Sequence, residues 1–362
     1  MAGLILATDG NFYGTASRGG THHNGAIFKI TPEGVLTALH SFDAIDGANP
    51  VAPLVQASSG DLYGVAGEGA NGYGTIFRIT PGGAFSILYS FSGTDGANPS
   101  AGLLQAPNGN LYGTTAGGGS NNVGTVFKIT PGGALTTLHN FDTTDGAGPL
   151  AALAQGADGN FYGTTDGGGA NGYGTIFAIT PGGALKTLYS FRPADGANPI
   201  AGLIQATDGS FYGTTSDEGP NFLGTIFRIT SGGTLTTMYN FSPTDGQDAE
   251  GGLVQGTDGN LYGTTTEGGT FGAGIVFSLA TGLGPFVKTV PTSGSVAASV
   301  TILGTDLAGA TSVSFGGVPA AFTVVSASEI ATVVPAGATS GKVQVTTPSA
   351  TLLSNVAFKV TQ

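Results

Sequence analysis

Cysteine and tryptophan are absent from this chain, and only 9% of its 362 residues are charged. Without cysteine there is no disulfide framework and no thiolate metal or redox centre. Without tryptophan, any stacking surface has to be built from tyrosine and phenylalanine. No apolar run approaches the roughly twenty residues that span a bilayer as a helix. The chain enters its first repeat by Gly3, with no apolar signal-peptide stretch ahead of it. The motifs G-x-S-x-G, H-E-x-x-H and the P-loop are missing as well.

Basic residues are also scarce, at 10 Lys and Arg against 22 Asp and Glu, for a net charge of −12. Residues 1–284 hold 7 of the basic and 20 of the acidic side chains, leaving Lys288, Lys342, Lys359, Asp306 and Glu329 beyond them. Such an acidic region repels phosphate backbones, which excludes nucleic acid as a partner and favours cations, basic partners or neutral sugars.

What the chain has in plenty is glycine, 66 residues, and its placement is periodic. An (F/L)-Y-G motif recurs at Tyr13, Tyr63, Tyr112, Tyr162, Tyr212 and Tyr262, in steps of 50, 49, 50, 50 and 50. A fixed period of this length with several strand-like runs per copy reads as a β-propeller or another stacked array. In the fourth copy the runs are Ala152–Gln155, Asn160–Thr165, Thr175–Thr180 and Leu185–Phe191. Asp158-Gly159 and Pro181-Gly182-Gly183 supply hairpin turns, where glycine provides the positive φ that a tight antiparallel turn needs. Four antiparallel strands per copy make one propeller blade. Short, nearly invariant turns then share one face. The longer second-to-third loops and the blade-to-blade crossovers share the other, where function is expected.

The predicted fold is all-β: a six-bladed β-propeller over residues 1–284, followed by a small Ig-like β-sandwich over 285–362. The fourth-strand motif occurs only five times, ending at Phe42, Phe91, Phe141, Phe191 and Phe241. Phe286–Val290 lies at the matching offset in the sixth copy and suits either the last blade's outer strand or the first strand of the sandwich. Otherwise that blade keeps three strands, or an amino-terminal segment ahead of this sequence supplies the missing one; an open edge there would invite association.

The unit GLIQATDGSFYGTT…GTIFRIT (residues 202–230) resembles the GloVer tandem repeat of bacterial extracellular proteins, and the likeness covers residues 3–284. That resemblance implies a secreted or surface-anchored bacterial protein of unassigned activity. The blade core Asp258-Gly259-Asn260-Leu261-Tyr262-Gly263 is more distantly similar to streptogramin-lyase-type propellers, as a blade and not as a catalytic site. Residues 285–362, through Pro291–Gly294, Val300–Gly304, Val313–Gly317 and Val334–Gly337, resemble an IPT/TIG domain. In that family the module implies a spacer or a protein-contact surface. Turn signals every eight to twelve residues support a sandwich independently.

Candidate chemistry sits on the loop face. Asp46, Asp95, Asp145, Asp195 and Asp245 recur once per crossover; each reads first as the cap of its own turn, with a ring of cation ligands as the alternative. Blades three and four are bland in their variable loops, whereas Asp217, Glu218, Asp248, Glu250 and Glu267 gather on blades five and six, and Arg18, His22 and His23 on blade one. Ring closure would make these one sector. Asp245, Asp248 and Glu250 put three carboxylates in six residues, an oxygen density that suits Ca²⁺, although without EF-hand spacing. His22 or His23 with Glu218, Glu250 or Glu267 is the candidate acid–base set of a polysaccharide lyase or hydrolase. Tyr73, Tyr173, Phe222 and Phe271, beside Asn171, Asn221 and Arg18, would suit a sugar, stacked on its face and hydrogen-bonded at its edge. His40 and His139 stand where other copies have tyrosine and read as packing variants. The leading expectation is an extracellular binding or scaffold protein, with an extracellular glycan or surface protein as partner. The alternatives are a carbohydrate-active enzyme and a self-associating structural array.

Overall fold

A computed structural model describes residues 3–361. Each of the first five repeats forms a four-stranded antiparallel sheet in chain order, and the sixth forms a sheet of three strands. In the fourth blade the strands are Ala154–Gln155, Phe161–Thr165, Thr175–Ile179 and Leu185–Ser190. A register shift between Ile176 and Phe177 bends its outer hairpin, and the first, second, third and fifth blades carry the same shift. The chain is therefore an all-β, six-bladed propeller followed by a β-sandwich. The described residues divide into two compact units. One runs to Leu253 and takes in Gly263–Phe277; the other comprises Val254–Tyr262 and everything from Ser278.

Blades are joined by apolar packing in which each contributes a different face to each neighbour. Tyr13, Ile27 and Phe42 of blade one pack with Leu54, Leu62, Phe77 and Ile79 of blade two. The same positions recur in the clusters that join blades two and three, three and four, and four and five. The motif glycine makes this possible. Gly163 is paired across the hairpin with Phe177, and a Cβ there would lie 2.5 Å from the Phe177 ring and 2.9 Å from Leu153. The phenylalanine thus fills the space where a side chain would stand. A glutamine latch adds to the packing: the Gln56, Gln105 and Gln205 side chains accept the N–H of Thr8, Ser58 and Ala157 in the preceding blade.

Ring closure is where the structure departs from expectation. No core cluster among the described residues joins blade six to blade one. Val276 is 79% exposed, whereas its counterparts Ile27, Ile76, Val126, Ile176 and Ile226 are at most 1% exposed. Tyr262 is likewise uncovered, and in blade one Leu4 is exposed where Leu54 of the next blade is buried, and Leu36 where Phe85 is half-buried. Leu6 occupies the latch-glutamine position, so blade one cannot make that bond. The sector uniting blades five, six and one is accordingly not assembled by closure.

The Asp-Gly turns are closed by a carboxylate. Asp158 accepts the Asn160 N–H, the Asn160 side-chain amide and the Tyr162 hydroxyl, and Asp9 and Asp258 do the same for their turns. For Asp9 and Asp158, burial pushes the carboxyl up, but these hydrogen bonds outweigh it and hold the group below the usual 3.8. For Asp258 the Tyr262 hydroxyl is the leading influence, again downward. A lowered aspartate stabilises the fold fully above its unfolded value, and that contribution is lost as pH falls through the folded one. The melting temperature is therefore expected to hold from neutrality down to about pH 4 and to fall below it. Tyr162→Phe should flatten that acid limb, as read by thermal unfolding across pH.

The sandwich has sheets ordered Lys288–Val290, Ser299–Leu303, Glu329–Val333, Phe322–Ser326 and Val318–Ala320, Ser312–Phe315, Val343–Thr346, Thr351–Leu353. Val300, Ile302, Phe315, Ile330, Val345 and Phe358 are among the residues that form its core. Lys288–Val290 pairs with Thr301–Leu303, so Phe286–Val290 serves the sandwich and not the sixth blade. Within this unit the Phe286 N–H donates to the Thr257 carbonyl and the Lys288 ammonium to that of Gln255. These bonds tie the first hairpin of the sixth repeat to the sandwich's leading strand.

Candidate functional site

The crossover aspartates are turn caps. Asp95 and Asp245 accept the hydroxyls of Tyr89 and Tyr239 and the N–H groups of Ser92 and Ser242. His40 and His139 do more than pack: each Nε2 lies 2.7 Å from its blade's aspartate, Asp46 or Asp145, taking over the role of the tyrosine hydroxyl. Asp195 likewise accepts the Tyr189 hydroxyl and the Arg192 guanidinium, so all five carboxylates are engaged inside their own blades. Among the described residues, no group of three or more His, Asp or Glu side chains is placed to hold a metal ion. Asp245, the first of the candidate calcium carboxylates, is committed to its own turn.

The loop asparagines are also structural. The amides of Asn71, Asn121, Asn171 and Asn221 donate to the carbonyls of Phe91, Phe141, Phe191 and Phe241 at 2.8–3.3 Å, pinning each loop to the end of the fourth strand. One amide of Asn171 and of Asn221 is thus already engaged with the scaffold. In blade six, where no fourth strand follows, the matching residue is Phe271.

The four candidate aromatics separate into two kinds. Tyr173 packs against the core joining blades four and five, and Tyr73 lies against Gly93. Phe222 and Phe271 stand free, 71% and 94% exposed. Phe222 also sits at φ 59°, in the left-handed region that costs an ordinary side chain ~1–2 kcal/mol. The matching residues are His23, Gly72, Asn122, Gly172 and Gly272, all at positive φ. This position demands the left-handed backbone, and blade five alone meets the demand with a phenylalanine.

Carboxylates accompany these rings. Crossovers pair with the next blade's loop through Ala197–Asp217 and Gln247–Glu267 bridges. Asp248 is pushed above the usual range first by burial, then by the charges of Glu267 and Asp217, so the three lie within electrostatic reach of one another. Gln247 donates its amide to Glu267 at 2.7 Å, a partner that sequence reasoning passed over. Glu218 donates its N–H to Asp217, and Glu250 is exposed. His22, His23 and Arg18 are exposed on blade one. Asp43 of the same blade is held low first by the N–H groups of Asp46 and Ile45, with a smaller contribution from His22. Asp217 and Glu267 thus both bear on Asp248, while the histidines belong to another blade.

These features define a tandem-repeat propeller with variable loops and a terminal sandwich. The Gloeobacter/Verrucomicrobia repeat matches residues 1–219 and, overlapping, 107–313, and the IPT/TIG domain matches residues 285–360. The chain belongs to the Gloeobacter/Verrucomicrobia repeat family. No curated protein matches it in sequence. Among solved structures it is similar to a gluconolactonase from Xanthomonas campestris, at 15% identity and a TM-score of 0.45 over 75% of this chain and 91% of that one. It is also similar to the hydrazine synthase of Kuenenia stuttgartiensis, at 14% identity and 0.49 over 84% and 76%. Neither likeness carries an activity across to this chain. No helix among the described residues is long and apolar enough to cross a membrane, which says nothing of strands.

Proposed function

We propose that this chain is a secreted or cell-surface binding protein whose propeller presents the loops of blades five and six to a neutral carbohydrate, with the sandwich as spacer. Phe222 carries the reading. An exposed ring held in a backbone conformation that suits glycine does nothing for stability, and such strain is kept where a ligand repays it. Phe222 and Phe271 offer flat apolar faces to a sugar ring, while Asp217, Glu218 and Glu250 offer acceptors for its hydroxyls. The acidic surroundings disfavour anionic glycans and nucleic acid. The GloVer resemblance and the IPT/TIG domain support an extracellular setting.

A glycan array of neutral and acidic oligosaccharides tests this. Binding to neutral sugars that weakens little with added salt is the expected result. Binding confined to sulfated or uronic glycans, or none at all, would contradict it.

A further inference from the structure

Blades one and six each leave exposed apolar side chains at positions that other blades bury against a neighbour. At every junction from blade one to blade five, a Tyr, an Ile or Val and a Phe of one blade pack on a Leu, a Phe and an Ile of the next. In blade one the receiving half is complete: Leu4 and Phe28 lie over Gly14 just as Leu54 and Phe77 lie over Gly64. Yet Leu4 is 52% and Leu36 65% exposed. Blade six carries the Tyr and Val of the giving half, Tyr262 and Val276, without the fourth-strand Phe, and Val276 is exposed at a position that is buried in all five other copies. Repeat arrays normally end in polar capping units, because each unit can bury its apolar face only against a neighbour.

Charge points to the same occupant. Arg18, Asp217 and Glu267 stand at equivalent positions of blades one, five and six. Asp217 and Glu267 each bridge the crossover that precedes their blade, at Ala197 and Gln247, and both bear on Asp248 between them. A first blade stacked after blade six would add the positive Arg18 to the loop face on which the chain's own run sets Asp217 and Glu267, a complementary charge in place of a like one.

We propose that the blade-one face of one copy docks on the blade-six face of a second copy, head to tail, repeating the blade junction between molecules. Such a heterologous contact extends into rings or filaments unless something closes it. It stands apart from the ligand reading, since Phe222 takes no part in it.

Sedimentation velocity of the full chain over a wide concentration range is the test, with Leu36→Glu as a blocked head and Val276→Glu as a blocked tail. Both sites are exposed, so circular dichroism and the melting temperature should match the parent. The parent is expected to associate with rising concentration, and each variant alone to shift that association by at least about tenfold. Mixed in equal amounts, the two variants retain one good head and one good tail, and are expected to form dimers that grow no further. A parent that stays monomeric throughout overturns the proposal, because the chain then closes on itself or stays open. Association of unchanged strength in either single variant overturns it as well, since it would show a contact that uses neither face. Arg18→Glu should weaken the assembly, and added salt should weaken the parent's more than the variant's.

Discussion

Gly163→Ala should destabilise the propeller by ~3 kcal/mol, lowering the melting temperature by roughly 6 °C or more. The added methyl would sit 2.5 Å from the Phe177 ring and 2.9 Å from Leu153, both buried between blades three and four. Neither can move without disturbing the next layer, because a packed interior accommodates an extra carbon only by strain. Gly159→Ala, four residues earlier, is the informative control. Gly159 has φ 82° and nothing within 4 Å of an added Cβ, so only backbone strain of ~1 kcal/mol applies. The expected order is a larger loss at Gly163 than at Gly159. The reverse would mean that glycine in the F-Y-G motif serves backbone geometry and not the cross-strand phenylalanine.

Phe222→Gly should move stability and binding in opposite directions. Relieving the left-handed phenylalanine is expected to gain about 1 kcal/mol, while affinity for the glycan falls at least about tenfold with the loss of an exposed stacking face. Phe271→Thr lacks the strain and should lose affinity with stability unchanged, which separates the two effects. A core residue would show the opposite pattern, losing stability on truncation.

Much of the scaffold was legible because the repeat states it six times. The Asp-Gly and Pro-Gly-Gly turns demand positive φ, and the alternating apolar runs between them have no other way to bury one face. The fate of Phe286–Val290 was not legible, because apolar residues at that offset suit either domain; pairing with Thr301–Leu303 decided it. Seam exposure was hidden for a related reason: Val276 reads like Ile226, and only the presence of a following blade buries one and not the other. On the loop face, Asn171 and Asn221 look like ligand groups in sequence, yet a strand carbonyl twenty residues on claims each amide. The special standing of Phe222 came from its backbone angle, which no pattern of letters displays. The clustering of acidic residues on blades five and six was visible; that Asp217 and Glu267 both bear on Asp248 was not.

The most direct measurement is paired on one sample: thermal unfolding and titration with the best glycan ligand, for the parent and Phe222→Gly. A higher melting temperature together with lost affinity is the predicted result. An unchanged affinity, or a fall in both quantities, would show that Phe222 serves the fold and that the loops of blades five and six are not the binding site.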